Sequence, residues 1–196
     1  IIMNALGMVV FLGTFNRVFM EEDSQFAEKM RLAMGIVDQS LPHLRKGLYS
    51  KTDMEATADI IYQSTSCAAV MFTDAQKILA MKGENWYDVL RDEAVLTPIL
   101  SSIHDRKPTT FSYAEKTDPL YHILKNHIIV AAPLIEMDKP VGSLTMMVKK
   151  HWHTSQSNLD FASELARLFS TQLELSDLDY QKQLRRKAEF RALQSQ

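Results

Sequence analysis

Apolar residues fall into three different rhythms along this chain. Ile1 to Phe15 (IIMNALGMVVFLGTF) has no alternation, no charge and one strongly polar side chain, Asn4. From Phe19 the pattern turns amphipathic. Phe26, Met30, Ala33, Val37 and Leu44 recur at steps of four, three, four and seven, the spacing of a coiled-coil seam. Pro42 lacks an amide hydrogen, so a kink or break is expected near Leu41. Thr52 or Asp53 can cap a second helix, Met54 to Ser64.

The period then shortens to that of strands. Cys67 to Thr73 and Lys77 to Met81 flank Asp74-Ala75-Gln76 and read as a hairpin. Residues 84 to 104 read as predominantly helical, with Pro98 at a helix start or break. Thr109 to Tyr113 has the β-branched and aromatic content of a strand. His127 to Leu134 and Val141 to Val148 form a second, longer hairpin around the turn cluster Glu136-Met137-Asp138-Lys139-Pro140. Helical spacing returns after His153, capped by Ser155 or Ser157, and runs without Gly or Pro from Leu159 to Gln196. That helix is about 55 Å long at its usual rise. Its first half is apolar on a broad face (Ala162, Leu165, Phe169, Leu173), and its second half is thinly apolar and highly charged. Such a helix packs on a domain and then projects from it. The order predicts an α+β module of the GAF/PAS type. An antiparallel sheet is flanked by helices, with long N- and C-terminal signalling helices. Long bounding helices in line favour GAF over PAS.

Composition narrows the picture. With 196 residues, 46 % hydrophobic and 23 % charged, the chain can build a core and is not globally disordered. A formal net charge of −2 supplies no field for nucleic acid, so no nucleic-acid partner is expected. The basic run Lys182, Arg185, Arg186, Lys187 and Arg191 is interleaved with Glu189 and reads as a solvated helix face. Cys67 is the only cysteine, which excludes an internal disulfide and a cysteine-built zinc site. The uncharged first stretch is shorter than the roughly 20 residues of a full span. It reads as the end of a truncated transmembrane helix followed by Arg17, with a buried core helix as the alternative.

Catalytic chemistry finds no footing. Cys67, among Ser66, Ala68 and Ala69, has no neighbouring cation or base to activate it and reads as a small core residue. His151 and His153 lack a third metal ligand, and His104, His122 and His127 are scattered. No phosphate-binding glycine loop occurs. Neither catalytic nor metal-binding residues are expected. The alternative is a stand-alone GAF-like small-molecule-binding or redox enzyme acting through Cys67.

Three stretches resemble the LytS/YehU family of sensor histidine kinases: QSLPHLRKGL (Gln39 to Leu48), AAVMFTDAQKILAMKG (Ala68 to Gly83) and Leu165 to Gln196. With the hairpin VAAPLIEMDKPVGSLTM, the resemblance covers nearly the whole chain. It departs from the family at Glu84-Asn85-Trp86-Tyr87-Asp88, where a His-containing loop is common. The resemblance implies the end of a last transmembrane helix at residues 1–18, a linker helix at 19–48, a GAF sensor domain at 49–155 and a signalling helix at 156–196. The helix leads to an absent kinase domain. That domain would carry the phosphoaccepting histidine and use ATP and Mg, with no cofactor in this region. The implied setting is the inner (cytoplasmic) membrane of a bacterium, this region mostly cytoplasmic and joined to the membrane through its N-terminus. The implied partners are a response regulator, a small-molecule ligand and a second copy of the chain. A GAF-type pocket between the sheet and its covering helices is expected to use Met71, Thr73, Tyr113, Tyr121 and Val130. A parallel homodimer is expected to use Phe26, Met30, Ala33, Val37 and Leu184.

Overall fold

A computed structural model describes residues 27–44, 48, 50–84, 95–113, 116, 120–150 and 155–194. The stretch 1–18, Phe26, the residue 85–94 segment and His151-Trp152-His153 lie outside the described residues. Among those described, no helix is long and apolar enough to cross a membrane.

The described part of helix α1 covers residues 27–44. It is followed by α2 (Lys51–Ser64), β1 (Ala69–Thr73), β2 (Ile78–Gly83), α3 (Thr97–Asp105) and β3 (Thr109–Phe111). Then come α4 (Tyr121–Leu124), β4 (His127–Glu136), β5 (Lys139–Lys149) and α5 (Ser155–Gln194). The strands form one sheet in the order β2-β1-β5-β4-β3, every neighbouring pair antiparallel. Asp74 makes the first hairpin, its side chain accepting from the amides of Gln76 and Lys77 at 2.7 and 2.8 Å. Gly142 lets β5 lie against the end of β1, because a Cβ there would overlap the Thr73 carbonyl oxygen.

The sheet is covered on both faces, which is why its central strands read as unbroken apolar runs. Alternate residues enter two cores. Val70, Phe72, Val130, Ala132, Leu134, Leu144 and Met146 meet α1, α2 and α5. Met71, Met81, Ile129, Ala131 and Met147 meet α3 and α4 through Ile99, Ile103 and Leu124. In the first core the Phe72 and Phe169 rings meet edge to face, centroids 6.1 Å apart.

Three local expectations are corrected. Helix α2 is capped by Ser50, whose side chain accepts from the Asp53 amide at 3.4 Å, rather than by Thr52 or Asp53. The break expected near Leu41 does not occur, because helix α1 continues past Pro42 to residue 44. Pro42 sits in the last described turn, where its missing amide forfeits one bond, while Leu44 beyond it is buried in the core. Helix α1 is also not a free linker. Ala33, Ile36, Val37, Ser40 and Leu44 are buried and the apolar members join the α2–α5 core, an amphipathic stripe facing its own domain. The boundaries drawn after residues 48 and 155 therefore do not separate packing units.

Polar contacts tie the layer together. His43 Nδ1 at the end of α1 lies 3.1 Å from Asp53 Oδ1 on α2. The Lys29 ammonium of α1 contacts the Ser157 hydroxyl and, at 3.3 Å, its carbonyl oxygen on α5. Lys82 on β2 pairs with Asp59 on α2 at 3.0 Å.

Candidate functional site: a cleft beside the sheet and the exit of the last helix

Pro98 in the first turn of α3 and the short edge strand β3 leave an open cleft of about 500 Å³. Its described walls include Leu96, Thr97, Pro98, Phe111, Tyr113 and Leu120. Phe111 and Tyr113 stand edge to face with centroids 6.3 Å apart. The described lining contributes hydroxyls from Thr97, Ser112 and Tyr113 and no charged side chain. Such a surface favours an uncharged ligand with a large apolar face and a few hydrogen-bonding groups.

Of the five residues expected to line a pocket, Tyr113 is at this cleft. Met71 lies on the face of the sheet that bears the cleft but is buried in the core beneath it. Thr73 is fully buried and hydrogen-bonded to Ser143 at 3.1 Å, which in turn meets Thr145 at 3.0 Å. Tyr121 is on α4, with the His122 ring at 5.7 Å and the Lys125 ammonium 6.0 Å from its centroid. Val130 is corrected outright, because strand alternation directs it into the α1–α2–α5 core. Sequence reasoning missed Leu96, Thr97, Phe111 and Leu120. The Thr109–Tyr113 aromatic pattern and Pro98 were visible, but their approach across the sheet edge was not.

The residues expected at a dimer seam also separate. Ala33 and Val37 are 1 % and 6 % exposed within the single chain, so neither is available to a partner, and both are corrected. Met30 is half-buried. Leu184 is 48 % exposed, as are Leu175 and Leu178 to a similar degree. On α5, Ala162, Leu165, Ala166, Phe169 and Leu173 are buried. Between Leu173 and Leu184, about 16 Å along the helix, its described leucines (Leu175, Leu178 and Leu184) lie on the surface.

The remaining chemistry is quiet. Cys67 is buried, its sulfur 2.9 Å from the Thr65 hydroxyl, and burial pushes its thiol up from the ordinary range. That is the opposite of an activated nucleophile. His104 and His122 are exposed and His127 is buried. Among the described residues, no group of three His, Cys, Asp or Glu side chains is placed to hold a metal ion.

No protein-family model matches the chain. Over its whole length it is 30 % identical to the sensor protein LytS of Bacillus subtilis, spanning 33 % of that protein. The chain thus represents about a third of the length of the curated relatives it matches. Among solved structures, an A. aeolicus GAF domain in an inactive state superposes with a TM-score of 0.57 at 13 % identity, covering 75 % of this chain and 98 % of that one. A phycoerythrobilin-bound GAF domain from a cyanobacterial phytochrome superposes with a TM-score of 0.57 at 12 % identity, covering 77 % and 99 %. The fold is that of a GAF domain.

Proposed function

We propose that this chain is the sensing and relaying region of a LytS-type, membrane-bound two-component histidine kinase. A small, uncharged ligand entering the Phe111/Tyr113 cleft, or a membrane segment joined to α1, biases the GAF core between two packings. Helix α5 carries that bias to a kinase region elsewhere in the parent protein. There a histidine takes phosphate from ATP with Mg and passes it to a response regulator. The region itself is a relay and not an enzyme, and the parent sits in the bacterial inner membrane with this part in the cytoplasm.

One observation carries the reading most strongly. Helix α5 has 40 residues, and Leu173 is the last of its described residues that is buried in the core. A lone helix with so few buried apolar side chains is marginal in water. Its second half is suited to pairing with a second copy through Leu175, Leu178 and Leu184, leaving the charges solvated. Alignment of the whole chain with a third of LytS supports the same assignment.

Autophosphorylation of the parent protein, reconstituted in vesicles with ATP and Mg, tests this reading. Tyr113→Trp, which fills the cleft, is expected to change the ligand-responsive rate several-fold while leaving basal phosphorylation intact. A parent protein that takes up no phosphate on histidine would sink the proposal.

A further inference from the structure

Among the described residues, no strand covers the outer edge of β4 along its second half. Strand β3 pairs with Ile129, Val130 and Ala131 only, and the β4–β5 register shifts between Leu134 and Ile135. Helix α5 supplies the missing acceptors. The Ile135 amide donates to Ser170 Oγ at 2.9 Å, and the Met137 amide donates to Glu174 Oε1 at 2.8 Å. Ser170 is itself fixed by donating to the Ala166 carbonyl at 2.8 Å.

The spacing is matched. Residues two apart on an extended edge are separated by about 6.6 Å, and residues four apart on one helix face by about 6 Å. The two rungs therefore match in spacing.

The upper rung is held under strain. Glu136 pairs with Lys139 across a two-residue turn, and Met137 and Asp138 have φ of 48° and 59°. Left-handed backbone at both positions normally calls for Asn-Gly or Asp-Gly, since a Cβ crowds the following carbonyl. Met137 is 54 % exposed, so its side chain recovers little by packing. Carboxylates crowd the same place. Burial, then Asp177 and Glu174, push Glu136 up from the ordinary carboxylate range. Glu174 directly follows Leu173, the last buried residue described on α5.

We infer that Ser170 and Glu174 form a two-rung clasp between the open edge of β4 and α5. The Met137–Glu174 rung is the release point at which the sheet governs the emerging half of the helix. This deepens the reading of α5 as the output element and rests on it. The strained turn and the crowded carboxylates keep the upper rung close to opening, while the Ile135–Ser170 rung stays shut.

Hydrogen–deuterium exchange on the 196-residue chain, without ligand or kinase, tests the clasp separately from the kinase proposal. Glu174→Ala is expected to speed exchange about tenfold at the Met137 amide and across residues 174–184, as loss of one charge-assisted bond implies. Residues 162–170 should be unchanged. Glu174→Gln keeps an acceptor oxygen and should stay within about threefold of the parent chain. Met137→Gly keeps the amide, relieves the left-handed strain, and should slow exchange at that position. Unchanged exchange at Met137 in Glu174→Ala would overturn the clasp. So would equal acceleration in the Ala and Gln variants, or acceleration spread evenly over 162–184.

Discussion

Replacing Val37 with aspartate separates two accounts of helix α1 that share one sequence pattern. If the Met30/Ala33/Val37 spacing served a partner chain, the variant would dissociate and remain folded. The structure buries Val37 to 6 % exposure among the α1, α2 and α5 core residues, so the cost falls on folding. Losing a buried valine forfeits about 1.5–3 kcal/mol. An isolated carboxylate there must be neutralised, and a rise of about three pKa units costs about 4 kcal/mol at neutral pH. The sum, about 5–7 kcal/mol, rivals the whole stability of an ordinary domain, about 5–15 kcal/mol. With a urea slope of about 2 kcal/mol per molar, the midpoint should fall by about 2.5–3.5 M, or no cooperative transition should remain. Leu184→Asp is the matched control: at 48 % exposure it should change chain stability by less than about 0.5 kcal/mol. Any loss of mass in that variant reports association through α5. Urea unfolding followed by circular dichroism, with light scattering on the same samples, reads both quantities. A Val37→Asp chain that keeps its midpoint and halves its mass would refute the packing described here.

Two further outcomes follow from the geometry. Phe169→Ala removes a ring that is 1 % exposed and edge-on to Phe72. It should cost about 3–5 kcal/mol for the cavity and about 1 kcal/mol for the aromatic pair, seen as a large fall in thermal midpoint. Glu136 binds its proton more tightly folded than unfolded, so the native state gains stability as pH falls from neutral through the raised pKa towards the usual carboxylate range. Glu136→Gln should therefore raise the melting temperature at pH 7 and flatten that slope. An unchanged melting temperature at pH 7 would show that Glu136 pays no penalty in the fold. Glu164, lowered chiefly by its hydrogen bond to Arg167, acts in the opposite sense as pH falls below the ordinary range.

Much of this architecture was legible because apolar runs and turn residues coincide. The β4–β5 hairpin, observed as His127–Glu136 and Lys139–Lys149, extends the two runs read from sequence by one or two residues at three of their four ends. What misled was facing. Val130 went to the wrong side because both faces of β4 are buried, which removes the polar residues that normally mark the solvent side. The α1 stripe was misread because steps of three and four serve a coiled-coil seam and an intramolecular core equally. Ser50 escaped notice as the α2 cap because it lies one turn before the apolar spacing begins. The cleft depends on Leu96 and Leu120 meeting Phe111 and Tyr113, a contact between segments that no local period encodes.

The same double burial that hid the facing of β4 places the strand between the two cores. Phe111, at the cleft, is paired in register with Ile129 of β4. Ile129 packs beneath α3, while its neighbours Ile128 and Val130 pack with the α1–α2–α5 core. One backbone thus carries side chains of both cores at successive residues. Interiors are packed too densely to absorb a displacement locally. A ligand that moves β3 must shift β4, and a shift of β4 must be taken up against Leu165, Phe169 and Leu173 of α5 or released at the Met137 turn. Helix α1 enters the same core through Ile36 and Val37, so a push from its end reaches α5 through the same side chains. On the proposed reading, ligand and membrane inputs would converge on one packed layer before a signal left along α5, and selective loss of one input would require a lesion outside that layer, at the cleft or in α1.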